Sequence, residues 1–129
     1  MVNGTVLAAR MAARSAFEKY HYDGTCTVSE WGKVKDRDTG LTKQGEVILL
    51  VDQPCHLSVE SSSADVQTAS AAQVSQSTKL FIAPDLTIKA GSKIMVTQAG
   101  VTTMYTHSGK AAVYDTHQEI VLDLFEKFA

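Results

Sequence analysis

Residues Ser61–Ser77 read SSSADVQTASAAQVSQS: six Ser, four Ala, three Gln, no aromatic residue, and Asp65 as the sole charge. Strand-like apolar runs flank this stretch, Ile48–Val51 before it and Leu80–Ile82 after it. Such a segment has too little apolar surface to build a core of its own and too little charge to be held extended by repulsion. A connection of this length inside a small domain is uncommon, and is either a working loop or disorder. Its chemistry points to a segment that orders against copies of itself or against a partner, and so toward an assembly component rather than an enzyme.

The surrounding chain is long enough to carry such a loop. Its 129 residues predict one domain spanning 1–129, with a core that buries roughly two-thirds of the unfolded surface. Twelve basic and fourteen acidic side chains leave a net charge of -2. That balance lacks the basic footprint of a protein that grips nucleic acid through phosphates, though it does not bar DNA from passing nearby. The cysteines, Cys26 and Cys55, are too few for a disulfide scaffold and have no CxxC spacing; they are expected as reduced, partly buried thiols. No apolar stretch approaches the ~20 residues of a membrane span, and the first ten residues do not read as a secretory signal.

A helix is predicted over 4–21. Asn3 or Thr5 supplies a capping oxygen, and Val6–Tyr20 is mostly Leu, Ala, Arg, Met, Glu and Lys. Leu7, Met11 and Phe17 fall near one stripe, with Tyr20 or Ala13 extending it, and Arg10, Arg14 and Glu18 form a polar row opposite. Gly24 is expected to end the helix in the left-handed conformation. The remainder reads as strands: Cys26–Trp31, Glu46–Val51, Cys55–Glu60, Lys79–Ala83, Leu86–Lys89, Lys93–Gln98 and Val101–Thr106. The last segment fits two patterns: Ile120, Leu122 and Leu124 alternate like a strand from about Thr116, while Val121, Leu124, Phe125 and Phe128 fit a helical stripe with Glu119, Asp123 and Glu126 opposite; a strand is expected. Glu46–Val51 is continuously apolar, as suits a strand buried on both faces. Pro54 makes Cys55–Glu60 either a separate strand or a continuation past a bulge. Ala99-Gly100 marks a hairpin. Short strands punctuated by Gly turns predict a mainly β fold: a small antiparallel β-barrel over 25–59 and 78–126, an N-terminal α-helix, and a long central loop over 60–77.

No constellation supports catalysis. Asp38-Thr39-Gly40 is the tripeptide of aspartic proteases, which a homodimer would use in pairs. Here it follows the charged Lys35–Arg37 and reads as a solvated hairpin turn. His21, His56, His107 and His117 lack the spacing of a helical zinc site, no GxSxG elbow presents a serine, and Lys89–Lys93 lacks the spacing of a phosphate loop. No catalytic residue, metal or cofactor is expected. Trp31 is either a core residue or an interface anchor; Arg10 and Arg14 are either a solvated face or contacts to a neighbouring subunit or to DNA phosphate.

Five blocks taken together carry a resemblance: Tyr22–Val28 (YDGTCTV), Gln53–Ser58 (QPCHLS), Lys79–Asp85 (KLFIAPD), Ile88–Val96 (IKAGSKIMV) and His117–Leu122 (HQEIVL). In this order the chain resembles the minor capsid protein family of long-tailed phages and prophages, a family similar to the head-completion, or stopper, proteins of the head–tail connector. The resemblance implies a small β-barrel assembled as a twelve-fold ring below the portal and adaptor. It implies a tail-completion or tail-tube protein on the other side, a location in the virion neck after synthesis in the bacterial cytoplasm, and DNA passing through the ring without sequence-specific contact. In stoppers of this kind a long loop points into the channel. The matching residues here are Ser61, Ser62, Ser63, Asp65, Gln67, Thr68, Gln73, Ser75 and Gln76, and the subunit interface would draw on Arg10, Met11, Arg14, Phe17 and Trp31. The alternatives are an adaptor or tail-terminator ring of the same neck, a homodimeric acid protease using Asp38, and a small-molecule-binding barrel with a closed apolar pocket.

Overall fold

The computed structural model describes residues 4–63 and 74–128, with side chains described for 4–60 and 77–128. Helix α1 spans Gly4–His21. Seven strands follow: β1 Gly24–Lys35, β2 Thr42–Ser63, β3 Val74–Ile82, β4 Lys93–Gln98, β5 Val101–His107, β6 Ala112–Val113 and β7 Gln118–Leu124. The chain is mainly β, with antiparallel pairing throughout. The strand order is β3-β2-β1-β4-β5-β7-β6, and a further β3–β7 pairing joins the two ends. Backbone pairing therefore runs in a ring, β3-β2-β1-β4-β5-β7 and back to β3, with β6 attached to β7 at the margin.

Inward side chains from the strands of this circuit make one core: Cys26, Val28, Cys55, Leu80, Ile82, Ile94, Val96, Tyr105, Ile120 and Leu122. Leu80, Ile82, Ile94 and Ile120 are fully buried, and each burial is worth about 1.5–3 kcal/mol. The segment expected as a strand at Leu86–Lys89 is irregular instead. Ile88 plugs the core from it, and the buried Gln118 amide donates to the Ala83 oxygen (2.8 Å) and the Leu86 oxygen (2.6 Å). A side chain thus supplies the hydrogen bonds that a strand ladder would otherwise give.

β2 is the organising element. Its 22 residues represent about 70 Å of extended chain. From Thr42 to Cys55 it pairs with β1, and from Cys55 to Ser63 with β3. The hand-over is marked by register shifts opposite Cys26–Ser29, one that inserts Leu49 and one that sets Val51 and Asp52 against the single residue Thr27. Asp52 takes a positive φ of 50, a conformation Asp tolerates better than bulkier residues. Pro54 therefore continues the strand past a bulge rather than starting a new one.

Two expectations are corrected here. Glu46–Val51 is not buried on both faces: Ile48, Leu49 and Val51 are 61%, 45% and 66% exposed, because β3 reaches β2 only from Cys55 onward. Gly24 does not end the helix. α1 closes with the Tyr22 amide donating to the Glu18 oxygen (3.2 Å), and Gly24 is the first residue of β1. Its missing side chain matters for space, since a Cβ there would stand 2.9 Å from Gln98 Oε1 and 3.0 Å from the Thr97 oxygen. The Gln98 amide needs that room. Its Oε1 accepts from the Leu57 amide (2.7 Å) while its Nε2 donates to the Leu57 oxygen (3.0 Å). One side chain thereby replaces the β1 backbone at the point where β1 has ended.

His107 and Ser92 are buried cross-strand neighbours, their backbones joined by the His107 amide donating to the Ser92 oxygen (3.1 Å). Burial holds the imidazole below its ordinary 6.5, against a smaller opposing push from its backbone hydrogen bond.

Two outcomes follow from these polar groups. Gln98→Ala should cost about 1–3 kcal/mol by leaving the half-buried Leu57 amide and carbonyl without partners, read as a lowered urea midpoint at unchanged slope. For His107, the unfolded chain takes up a proton before the folded one does. Stability should therefore be intact above the ordinary histidine range and fall as pH drops through it toward the lower folded value. Asp23 and Glu46, whose pKa values are also lowered, contribute only in the more acid carboxylate range. Urea titrations at pH 7 and pH 5.5 should differ, and His107→Phe should shrink the difference.

Candidate assembly interface

Because β1 outruns β4 and β3 outruns β7, each end of β2 carries a two-stranded arm among the described residues. β4 covers β1 only up to Ser29, so Glu30–Lys35 pairs with Thr42–Val47 alone. β7 covers β3 only from Thr78, so Val74–Ser77 pairs with Glu60–Ser63 alone.

The tip of the first arm is a tight turn. The Asp36 amide donates to the Leu41 oxygen (2.8 Å), the Gly40 amide to the Asp36 oxygen (2.9 Å) and the Asp38 amide to Asp36 Oδ1 (2.9 Å). Gly40 takes the positive φ of 69 that this turn needs. Asp38 is therefore an exposed turn residue, not a carboxylate set behind a buried strand. Trp31 stands on the same arm, 52% exposed and outside the core. One face of its ring meets Phe128 (centroids 5.4 Å apart). Lys93 lies over Phe125 and Phe128 at 5.5 and 5.6 Å and pairs with Glu46. The Ser29 hydroxyl donates to Glu46 (2.7 Å). Lys93 first, then Ser29, hold the Glu46 carboxyl below its usual range. The chain's last residues thus brace the base of this arm, and a small cavity of about 190 Å³ opens between Trp31, Phe128 and Gly91–Ser92.

The second arm corrects the expected extent of the central loop. Ser61, Ser62 and Ser63 are strand residues facing Gln76, Ser75 and Val74. Asp65, Gln67, Thr68 and Gln73 lie outside the described residues.

On α1 the expected interface residues divide. Phe17 docks onto the body, stacked on His117 and on His21 (4.4 Å each) and edge-on to Tyr22 (5.6 Å). His117 is in turn flanked by Tyr114 and Phe81. Arg14 joins Asp85 (2.7 Å) and Glu18 (3.3 Å), and Arg10 joins Asp115 (3.6 Å). Leu7 and Met11 remain 51% and 62% exposed, and no α1 residue is buried. Surface ion pairs are worth about 0–1 kcal/mol each and an aromatic pair about 0.5–1.5 kcal/mol, so Phe17 is the principal anchor.

At the other end of β7 a cleft of about 690 Å³ lies against the base of the second arm. Val59, Tyr105, Leu122 and Leu124 give it apolar walls, and Asp123, Glu126 and Lys127 line it as well. Cys26 and Cys55 are free and fully buried; Cys26 and burial both push the Cys55 thiol up. His56 pairs with Asp23 on the surface (2.7 Å). Among the described residues no group of His, Cys, Asp and Glu is placed to hold a metal, and no helix is long and apolar enough to cross a membrane.

Phe17→Ala should release α1 while the sheet stays intact. Amide exchange is expected to rise along α1 and to stay slow in β1, β4 and β7; equal acceleration in the sheet would mean that the helix belongs to the core.

No family model and no curated protein matches the chain. Among solved structures it is similar to the phage-like element PBSX protein xkdH from Bacillus subtilis, at 13% identity over 78% of this chain and 91% of that chain, with a TM-score of 0.47.

Proposed function

We propose that this chain is a structural component of the head–tail connector of a long-tailed phage or prophage, and within it the head-completion, or stopper, ring. The observation that carries the reading is the second arm: a two-stranded extension with unpaired outer edges, continuing into a segment whose only charge between Ser61 and Ser77 is Asp65. The five ordered sequence blocks give the same direction.

The physics of a DNA conduit fits such an arm. Each phosphate neutralised by a Lys or Arg adds counterion-release affinity, so a wall rich in those residues would retard DNA during ejection. Ser, Ala and Gln present small neutral groups that fill space without gripping. In a twelve-fold ring the free edges of neighbouring arms would find partners in one another by strand addition. The adaptor or portal would lie on one side of the ring and a tail-completion or tail-tube protein on the other. In this role the chain has no catalytic step and takes no cofactor.

Replacing residues 64–73 with a two-residue turn tests the assignment. The isolated domain should keep its urea midpoint, because its core lies outside the arm. Particles carrying the variant should lose packaged DNA or fail to join tails. Fully infectious particles with retained DNA would remove the stopper role. Imaging of the neck separates the stopper layer from an adaptor or tail-terminator layer.

A further inference from the structure

The exposed part of α1 and the β7 cleft differ in shape and lie at opposite ends of the same strand. α1 is tied down where β7 begins, through Phe17 on His117, Arg14 on Asp85 and Arg10 on Asp115. The cleft lies where β7 ends, at Leu122, Asp123 and Leu124. His117 and Leu124 are seven residues apart on extended chain, roughly 20 Å. The helix leads from Phe17 past Asp85 and Asp115, which keeps its free residues on the β7-start side. A chain therefore cannot reach its own cleft with its own helix.

The two surfaces nevertheless match. Leu7 and Met11 stand one turn apart on one face, the i, i+4 spacing by which a helix inserts anchors into an apolar groove. The cleft offers Val59, Leu124 and the floor of Tyr105 and Leu122 in a volume of about 690 Å³. The charges are complementary as well. Arg10 stands one turn on from Leu7, about 60° round the helix toward the body and not opposite the apolar pair, and its tie to Asp115 joins groups whose side chains are 50% and 71% exposed, so exchanging it costs little. The cleft carries two acids, Asp123 and Glu126, against the single base Lys127.

We infer that the subunit contact of the ring is a helix-in-cleft joint, in which Leu7 and Met11 of one copy enter the β7 cleft of the next and Arg10 meets its Asp123 and Glu126. This rests on the connector reading for the ring itself. The joint is heterologous: it uses two different patches, leaves one of each unused on every added copy, and ends only when the circle closes. It also leaves both arms free.

The test pairs cross-linking with charge exchange in the full chain. Met11→Cys combined with Leu124→Cys should give, on mild oxidation of particles and of concentrated protein, a ladder that ends at one closed species. A mixture of the two single variants should stop at the dimer. The native thiols are buried and should stay silent. Arg10→Glu should lower incorporation into particles at least tenfold, and Glu126→Arg in the same chain should recover most of it. Arg10→Glu also sets a carboxylate beside Asp115, so amide exchange along α1 is read in parallel and should stay as slow as in the parent chain. If the chain occupies the neck in normal amount with Arg10→Glu and no 11–124 cross-link forms, the joint is wrong while the connector reading stands. A cross-link from position 11 to a different neck protein overturns it in the same way. If the chain is missing from purified necks altogether, the connector reading fails and the joint fails with it.

Discussion

Strand β2 exchanges one partner for another midway along its length, and the rest of the architecture follows from that hand-over. Up to Cys55 it belongs to β1, and after Cys55 to β3. The β3–β7 pairing then closes the circuit that began with β1 and β4. A straight, regular strand could not serve both neighbours, because both pairings must turn their apolar side chains toward one interior. The extra residues at Leu49 and Val51–Asp52 bend and twist β2 so that Leu50, Cys55 and Leu57 still reach the core. Since β4 and β7 cover only part of β1 and β3, both ends of β2 project with one partner each. The arms are thus a consequence of how the circuit closes, not additions to it.

The same geometry explains which parts of the fold are legible in the sequence. Helix α1, the strand-rich remainder and the 98–101 hairpin are set by local signals, namely propensity, period and turn chemistry, and these agree with the structure. Residues Glu46–Val51 mislead because apolar continuity reports that side chains avoid water somewhere, not where. In the isolated chain Ile48 and Val51 are on the surface. The Ser-rich stretch looks like loop from end to end because Ser and Gln carry no strand signal, yet its flanks pair as antiparallel strands. Gln98 and Gln118 give no warning at all. Their amides stand in for missing backbone partners, and which backbone groups lack partners is known only once the topology is known.

The candidate site divides along the same line. Arg10, Met11, Arg14 and Phe17 are visible as a patterned helix, but the pattern does not say that Phe17 faces the body while Met11 faces outward. That distinction comes from His117, a residue about a hundred positions away whose ring receives Phe17. The β7 cleft has no sequence signature either, since its walls come from β2, β3, β5, β7 and the residues after β7. Trp31 illustrates the limit of composition rules. It is the only Trp of the chain, and instead of filling the core it leans on Phe128 beside an open arm.

A protein that exposes Ile48, Leu49, Val51 and Leu124 along open edges must avoid sticking to copies of itself at random. Open edges are ordinarily guarded by bulges, charges and proline, and here the guards are concentrated where the edge is longest. The bulges at Leu49 and Val51–Asp52 interrupt the regular spacing of donors and acceptors on the free side of β2. Lys43 and Asp52 place charge on it, and Pro54 removes a donor. Strand-to-strand stacking of isolated copies is thereby disfavoured along the first arm and its base. The β7 end has no comparable bulge among the described residues, and its exposed Leu124 lies beside the charged Asp123, Glu126 and Lys127. Specificity of this kind comes from blocking the wrong contacts as much as from favouring the right one. A subunit built this way can remain separate until a surface of the right shape and charge is presented in the right order.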